Sequence, residues 1–310
     1  MSADRSRTPA PFTHVLCPID FSAHAAHSLR HAAALVARSG GHLTVLYVNS
    51  PLLAQAAAAA GARATDARTI HDEVARFVSA TLPARTRAAI RVGYSSAVGD
   101  AAAIIARRVR DDGHDAVVLG TRGLRGARRL LFGSTAADVL RRVPVPVLVV
   151  PPPRAGDTAR LAPRWPARGI VAPVSLGPSA DAEVRAATAY ARWSGAPLRL
   201  VHVVPAPATP PWFAVDLRTH LQEDMQAARL RLTALAATAG GVRTTSVVST
   251  GDAADEVSAL ALQTKAALVI ISRTSARRDQ VPGHLSYGVL AEAHIPVLAL
   301  PPAPRSRRRA

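Results

Sequence analysis

A self-repeat constrains this chain more than any other feature. Val15-Leu-Cys-Pro-Ile-Asp20 returns 155 residues later as Ile170-Val-Ala-Pro-Val-Ser175. Ser39-Gly40-Gly-His-Leu43-Thr-Val-Leu-Tyr-Val48 returns at the same offset as Ser194-Gly195-Ala-Pro-Leu198-Arg-Leu-Val-His-Val203. Gly99-Asp100-Ala-Ala and Val145-Pro-Val-Leu-Val-Val150 have counterparts in Gly251-Asp252-Ala-Ala and Ile295-Pro-Val-Leu-Ala-Leu300. The simplest reading is two tandem copies of one domain of about 140 residues. The expected division is a disordered N-terminus over 1–12, a first domain over 13–151, a proline-bearing linker over 152–168, a second domain over 169–302 and a basic tail over 303–310.

Within each copy, short apolar runs alternate with stretches of helical period. That alternation argues for an α/β unit, a parallel sheet with helices on both faces. Strands are expected near 14–19, 42–48, 87–93, 115–119 and 146–150, and again near 169–174, 197–204, 242–249, 267–271 and 296–300. The first helix is bounded by Ser22 as N-cap and Gly40 as its stop, with Leu29, Ala33 and Val36 as its apolar stripe. Further helices are expected near 66–82, 97–111 and 134–142, with a partly helical connection over 54–60. In the second copy a long helix near 213–239 carries Leu217, Leu221, Met225, Ala228 and Leu232 at core-facing spacing.

The fourth strand of the first copy opens into Gly120-Thr-Arg-Gly123-Leu-Arg-Gly-Ala-Arg-Arg-Leu-Leu-Phe-Gly133-Ser134-Thr135. A glycine-rich loop between a strand and a helix lets a ligand approach the main chain and aims helix-start amides at an anion. Ser134 reads as the N-cap. The loop has no Gly-Lys-Ser/Thr and no G-x-G-x-x-G, so neither common nucleotide fingerprint applies. Its spacing is two residues between Gly120 and Gly123, nine more to Gly133, then Ser134. That spacing resembles the nucleotide motif of the universal stress protein family in its ATP-binding branch. With the repeat, the resemblance covers nearly the whole chain, as a tandem member.

The resemblance implies two open five-stranded parallel sheets of order 3-2-1-4-5, like those of adenine nucleotide alpha-hydrolases. It implies that the proline-bearing last strands pair within one chain, with further homodimerisation open. It implies that Pro18, Ile19 and Asp20 face adenine and ribose, that Val48 lines the base pocket, and that Gly120, Gly123, Gly133, Ser134 and Thr135 hold ribose and phosphates. Among the loop arginines Arg122, Arg125, Arg128 and Arg129, Arg122 is the expected phosphate contact. Asp20 has a second reading as a helix-capping aspartate. The cofactor implied is ATP, with or without Mg²⁺. The function implied is a cytoplasmic stress-response sensor or adaptor. Two alternatives stay open: a slow ATPase or autophosphorylating enzyme, with Ser134 or Thr135 as acceptor, and a basic nucleic-acid-binding scaffold with a vestigial nucleotide site.

The second copy departs from the motif. Ser175 replaces Asp20, Ser272 and Ser275 stand for Gly120 and Gly123, seven residues separate Ser275 from Gly283, and His284 replaces Ser134. ATP binding is therefore expected in the first copy alone.

Composition narrows the classes that remain. Apolar residues make up 49% of the 310-residue chain, and aromatics only 4%, which suits closely packed alanine-rich helices. No apolar run is long enough to span a membrane, and the polar N-terminus lacks a signal core. Against 38 basic residues stand 21 acidic ones, a net charge of +17. The arginines are dispersed without interleaved aromatics, so nucleic acid is not the expected partner. Cys17 stands alone and reads as a small core residue. His24, His27 and His31 share a helical face, but its span of about 10 Å is too long for one metal ion, so they read as a solvated stripe. No metal site and no catalytic constellation is expected.

Overall fold

The computed structural model describes residues 11–59, 67–121, 133–152, 168–205, 218–273, 288–290 and 294–302. The chain divides into two compact units, Met1–Trp165 and Pro166–Ala310. The linker residues 153–167, residues 1–10 and the tail 303–310 lie outside the described residues.

The first unit runs β1 (His14–Ile19), α1 (Ala23–Ser39), β2 (His42–Asn49), α2 (Pro51–Ala59), α3 (Ala67–Thr81), α4 (Ala84–Ala88), β3 (Arg91–Val98), α5 (Ala101–Asp111), β4 (Ala116–Gly120), α6 (Ser134–Arg142) and β5 (Val147–Val150). Its strands are ordered β3-β2-β1-β4-β5, and every neighbouring pair is parallel. The second unit comprises β6 (Ile170–Pro173), α7 (Ala180–Ser194), β7 (Leu198–Val204), α8 (Arg218–Ala237), β8 (Thr244–Thr250), α9 (Ala253–Gln263), β9 (Leu268–Ser272) and β10 (Val297–Leu300). It has the same order, β8-β7-β6-β9-β10, again all parallel. Both are the doubly wound arrangement 3-2-1-4-5, in which the direction of winding reverses between the first and fourth strands.

The central strands are apolar because both faces of the sheet are covered. Val15, Leu16 and Cys17 in β1 and Val117 and Val118 in β4 are fully buried. Burial pushes the Cys17 thiol up to about 12, so it is an uncharged core group. Leu29, Ala32, Ala33, Leu35 and Val36 of α1 close one face of the sheet. In α8, Ala228, Leu232 and Leu235 are buried; Leu217 lies outside the described residues. Among the described residues no helix is long and apolar enough to cross a membrane.

Local chemistry sets the element ends. The Ser22 hydroxyl accepts from the amide of Ala25 at 3.1 Å, and Gly40 stops α1 at φ +67°. Asp100 and Asp252 cap α5 and α9 in the same way in the two copies. Three expectations need correction. The third strand begins at Arg91 rather than near 87, because Pro83 starts the short helix α4 and its carbonyl accepts from Thr86 and Arg87. The helix expected near 97–111 begins at Ala101, since β3 continues to Val98 and Gly99 turns the chain at φ +151°. The N-cap of α6 is Gly133, with Ser134 as its first helical residue, because the extended backbone stops at Gly133.

The histidine stripe of α1 also differs from expectation. His24 and His27 are half-exposed, but His31 is only 5% exposed. It falls in phase with Ser28 and Leu35 on the core side, and its ring meets His27 edge-on at 4.9 Å between centroids. Burial, then the neighbouring His27, pushes the His31 imidazole down to about 3.

Candidate nucleotide site

Ligands of open parallel sheets sit beyond the carboxyl ends of the strands where winding reverses. In the first unit that point lies between β1 and β4. Pro18 and Ile19 end β1, paired to Leu46 and Tyr47 of β2. Asp20 follows directly, and Gly120 ends β4 opposite Val150. Val48 lies one residue from the end of β2, paired to Ala97. The helix α6 begins at Ser134 and Thr135, both exposed. The fold thus brings Pro18, Ile19, Asp20, Val48, Gly120, Gly133, Ser134 and Thr135 to the carboxyl end of one sheet. Arg122 and Gly123, with Arg125, Arg128 and Arg129, lie outside the described residues.

The two ends of the glycine loop are joined. Thr121 leaves β4 with its amide bonded to the Val150 carbonyl at 3.1 Å, and its own carbonyl accepts from Gly133 at 2.8 Å. The chain therefore returns to the strand end it left, and α6 starts beside β4. The N-cap Gly133 supplies no side-chain hydrogen bond to the helix start. Helix-start amides that receive no side-chain cap from their N-cap residue can bind an anion. Gly133 has an ordinary extended backbone, φ −73°, and Gly120 is not among the positive-φ glycines. What glycine provides at these two positions is the absence of a side chain, not an unusual φ.

Thr121 is 5% exposed, and its hydroxyl is buried without a hydrogen-bond partner among the described residues. A buried hydroxyl with no partner costs about 1–3 kcal/mol. No motif pointed to Thr121, because a threonine after a strand is ordinary and its isolation is tertiary.

Asp20 does not cap α1; Ser22 does. One Asp20 carboxylate oxygen accepts from the Ser22 amide at 3.1 Å, which braces the turn that supplies the cap. Between them stands Phe21 at φ +62°, a strained conformation for a residue with a side chain. Its ring lies 4.8 Å from that of Tyr47 and 5.4 Å from that of Phe77, and it is 38% exposed. Leu176, the repeat counterpart of Phe21, has φ +55°, so the strain belongs to the repeated turn itself. The Asp-Phe-Ser sequence gave no local sign of it, since glycine is the usual occupant of such a φ.

The second unit builds a different strand end. Glu183 of α7 turns its carboxylate onto the position where the first unit has Asp20. It accepts from the Ser175 amide at 2.9 Å, the Ser175 hydroxyl at 3.1 Å and the Ser179 hydroxyl at 2.7 Å. Arg273 takes the place of Thr121. Its amide bonds the Leu300 carbonyl at 2.9 Å, and its guanidinium Nε donates to that carbonyl at 3.1 Å. Arg273 is 7% exposed, and burial lowers its pKa to about 10. His202, at the position of Tyr47, has Nδ1 2.7 Å from the Val174 carbonyl. Ser272 ends β9; Ser275, Gly283 and His284 lie outside the described residues.

The model of the universal stress protein family matches residues 11–151 and again residues 167–301. The chain belongs to the universal stress protein family. Solved structures show the same tandem fold. One is a functionally unknown protein from Pseudomonas aeruginosa PAO1, 18% identical with a TM-score of 0.63, over 94% of this chain and 92% of that one. Another is a universal stress protein from Archaeoglobus fulgidus DSM 4304, 16% identical with a TM-score of 0.60, over 96% and 98% of the two chains. A shorter universal stress protein from Archaeoglobus fulgidus, solved in complex with dAMP, is 21% identical over 43% of this chain and 97% of its own, with a TM-score of 0.33. No match was found among curated proteins.

Proposed function

We propose that this universal stress protein binds one ATP, in the first unit, and acts as a stress-response sensor or adaptor in the cytoplasm. The observation that carries the reading is the closure of the glycine loop at the winding reversal. Gly133 bonded to Thr121 holds an uncapped helix start beside the end of β4, where a polyphosphate finds amide donors and a favourable helix dipole. In this reading Pro18, Ile19 and Val48 contact the base, Asp20 the ribose, and Gly120, Gly123, Gly133, Ser134 and Thr135 the ribose and phosphates. Arg122 meets the phosphate tail. The Thr121 hydroxyl, buried without a partner among the described residues, is a further donor at the start of the same loop.

Bound ATP would neutralise part of the basic loop and favour whichever arrangement of it binds better. A ligand shifts such an equilibrium only through that difference in affinity. Magnesium, in this reading, arrives with the triphosphate, whose phosphate oxygens coordinate it. In the second unit the Glu183 carboxylate opposes a polyphosphate, and the Arg273 side chain fills the place of Thr121.

A second reading rests on the exposed Ser134 and Thr135 hydroxyls in the first turn of α6. A hydroxyl there could accept a phosphoryl group slowly. Equilibrium binding and turnover separate the two. Stoichiometric retention of ATP that falls at least about tenfold in Asp20→Ala supports the binding role. Release of one ADP per chain as the chain itself gains a phosphoryl group, lost in the same variant, supports the enzyme. ATP affinity unchanged in Asp20→Ala contradicts both.

A further inference from the structure

The opposite end of the first sheet carries a feature that the nucleotide reading leaves unused. His14, His42 and Arg91 are the first residues of β1, β2 and β3. The register pairs His14 with His42 and His42 with Arg91, so the three side chains form one row on one face of the sheet. The His14 and His42 rings stack, with centroids 5.3 Å apart and planes inclined by 14°. His114, just before β4, stacks on the other side of His14 at 4.2 Å. His14, His42 and Arg91 line an open depression of about 410 Å³. Gly93 leaves room for the outer imidazole: a Cβ there would lie 3.0 Å from His42 Nε2.

The second copy lacks the row. The repeat places Gly169, Pro197 and Ala266 where His14, His42 and His114 stand, and retains only Arg243. Fold alone therefore does not require these imidazoles.

We propose that the His14–His42–Arg91 row, backed by His114, binds the phosphate group of a small solute and takes up protons as it does so. A guanidinium supplies a forked donor for an oxyanion, and imidazole N–H groups add charge-assisted donors once protonated. Among the described residues, these charged and titratable groups surround the row. Arg91 is exposed on β3. The Asp115 carboxylate is engaged by the Thr13 amide and hydroxyl, each at 2.6 Å, while its second oxygen is buried without a partner among the described residues. Asp112 is paired to Arg108 at 3.4 Å. His114 has Nδ1 3.1 Å from the Arg108 carbonyl, and its Nε2 is buried without a partner among the described residues.

Without an anion His42 and His114 resist protonation. Burial, then His14, then Arg91 hold the His42 imidazole below its ordinary value. Burial, opposed by the hydrogen bond to Arg108, also lowers that of His114. A bound anion offsets these effects by attracting the protonated imidazoles, so it binds more tightly as pH falls through the imidazole range.

The test follows the histidine ring signals of the full chain by NMR, titrated with inorganic phosphate and with sulfate. Sulfate carries the same charge across the range. The expected result is movement of the His14, His42 and His114 signals, with sulfate binding about tenfold tighter near pH 5.5 than near pH 7.5. Arg91→Gln and His42→Gln should each weaken it about tenfold at the lower pH. Arg91 is exposed, so Arg91→Gln keeps the test usable if His42→Gln does not fold. Ring signals unmoved by either anion, affinity equal at both pH values, or full affinity in Arg91→Gln overturns the proposal. These signals sit at the amino ends of the strands, so their response is separate from ATP binding at the carboxyl ends.

Discussion

The amide of Gly133 donates to the carbonyl of Thr121 at 2.8 Å, and this one bond returns the chain to the strand end where the glycine loop begins. The bond is made by backbone, so it tolerates many side chains. Beside it the Thr121 hydroxyl is buried without a partner among the described residues. Thr121→Val keeps the shape and removes the orphaned group. Its expected effect on the free protein is neutral to stabilising, by about 1 kcal/mol, while ATP affinity falls. Urea denaturation paired with ATP titration checks both; a loss of stability with unchanged affinity would give the hydroxyl a purely structural role.

Phe21 and Leu176 occupy the same strained turn in the two copies. Phe21→Ala removes the contacts to Tyr47 and Phe77 and keeps the strain. Phe21→Gly removes the same contacts and relieves it. The glycine variant should therefore be more stable than the alanine variant by about 1 kcal/mol. Equal melting temperatures would show that the turn is not strained in solution.

Acid should weaken the first unit through His31. Its imidazole is held at about 3 in the fold, against the ordinary 6.5. Below 6.5 the unfolded chain takes up a proton that the folded chain refuses. Stability is thus full above that value and declines as pH falls towards 3, by up to about 1.4 kcal/mol per pH unit. His42 and His114 act in the same direction. His31→Leu should flatten part of this slope in denaturation measured between neutral and mildly acidic pH. An unchanged slope would assign the acid response to other groups.

Much of the fold was legible because it is written locally and twice. Ser22 and Gly40 mark helix ends by their own chemistry, and the 155-residue offset carries the strand pattern from one copy to the other. The errors came where two local signals compete. Pro83 starts a helix that delays β3, and the extended backbone at Gly133 displaces the cap from Ser134. His31 looked solvated because its spacing from His24 fits one face, yet its own phase points at the core. The second unit's strand end was the least legible. Ser175 could be read as a lost aspartate, but Glu183 reaches it from the next helix and Arg273 lies far along the chain. Only the folded backbone brings each to its place.

The central claim is a single nucleotide per chain, held by the first unit. Non-denaturing mass spectrometry of the full chain titrated with ATP measures it directly. Saturation at one ATP, lowered in Asp20→Ala and untouched by Glu183→Gln, is the predicted result. No bound nucleotide, or two per chain, would contradict it.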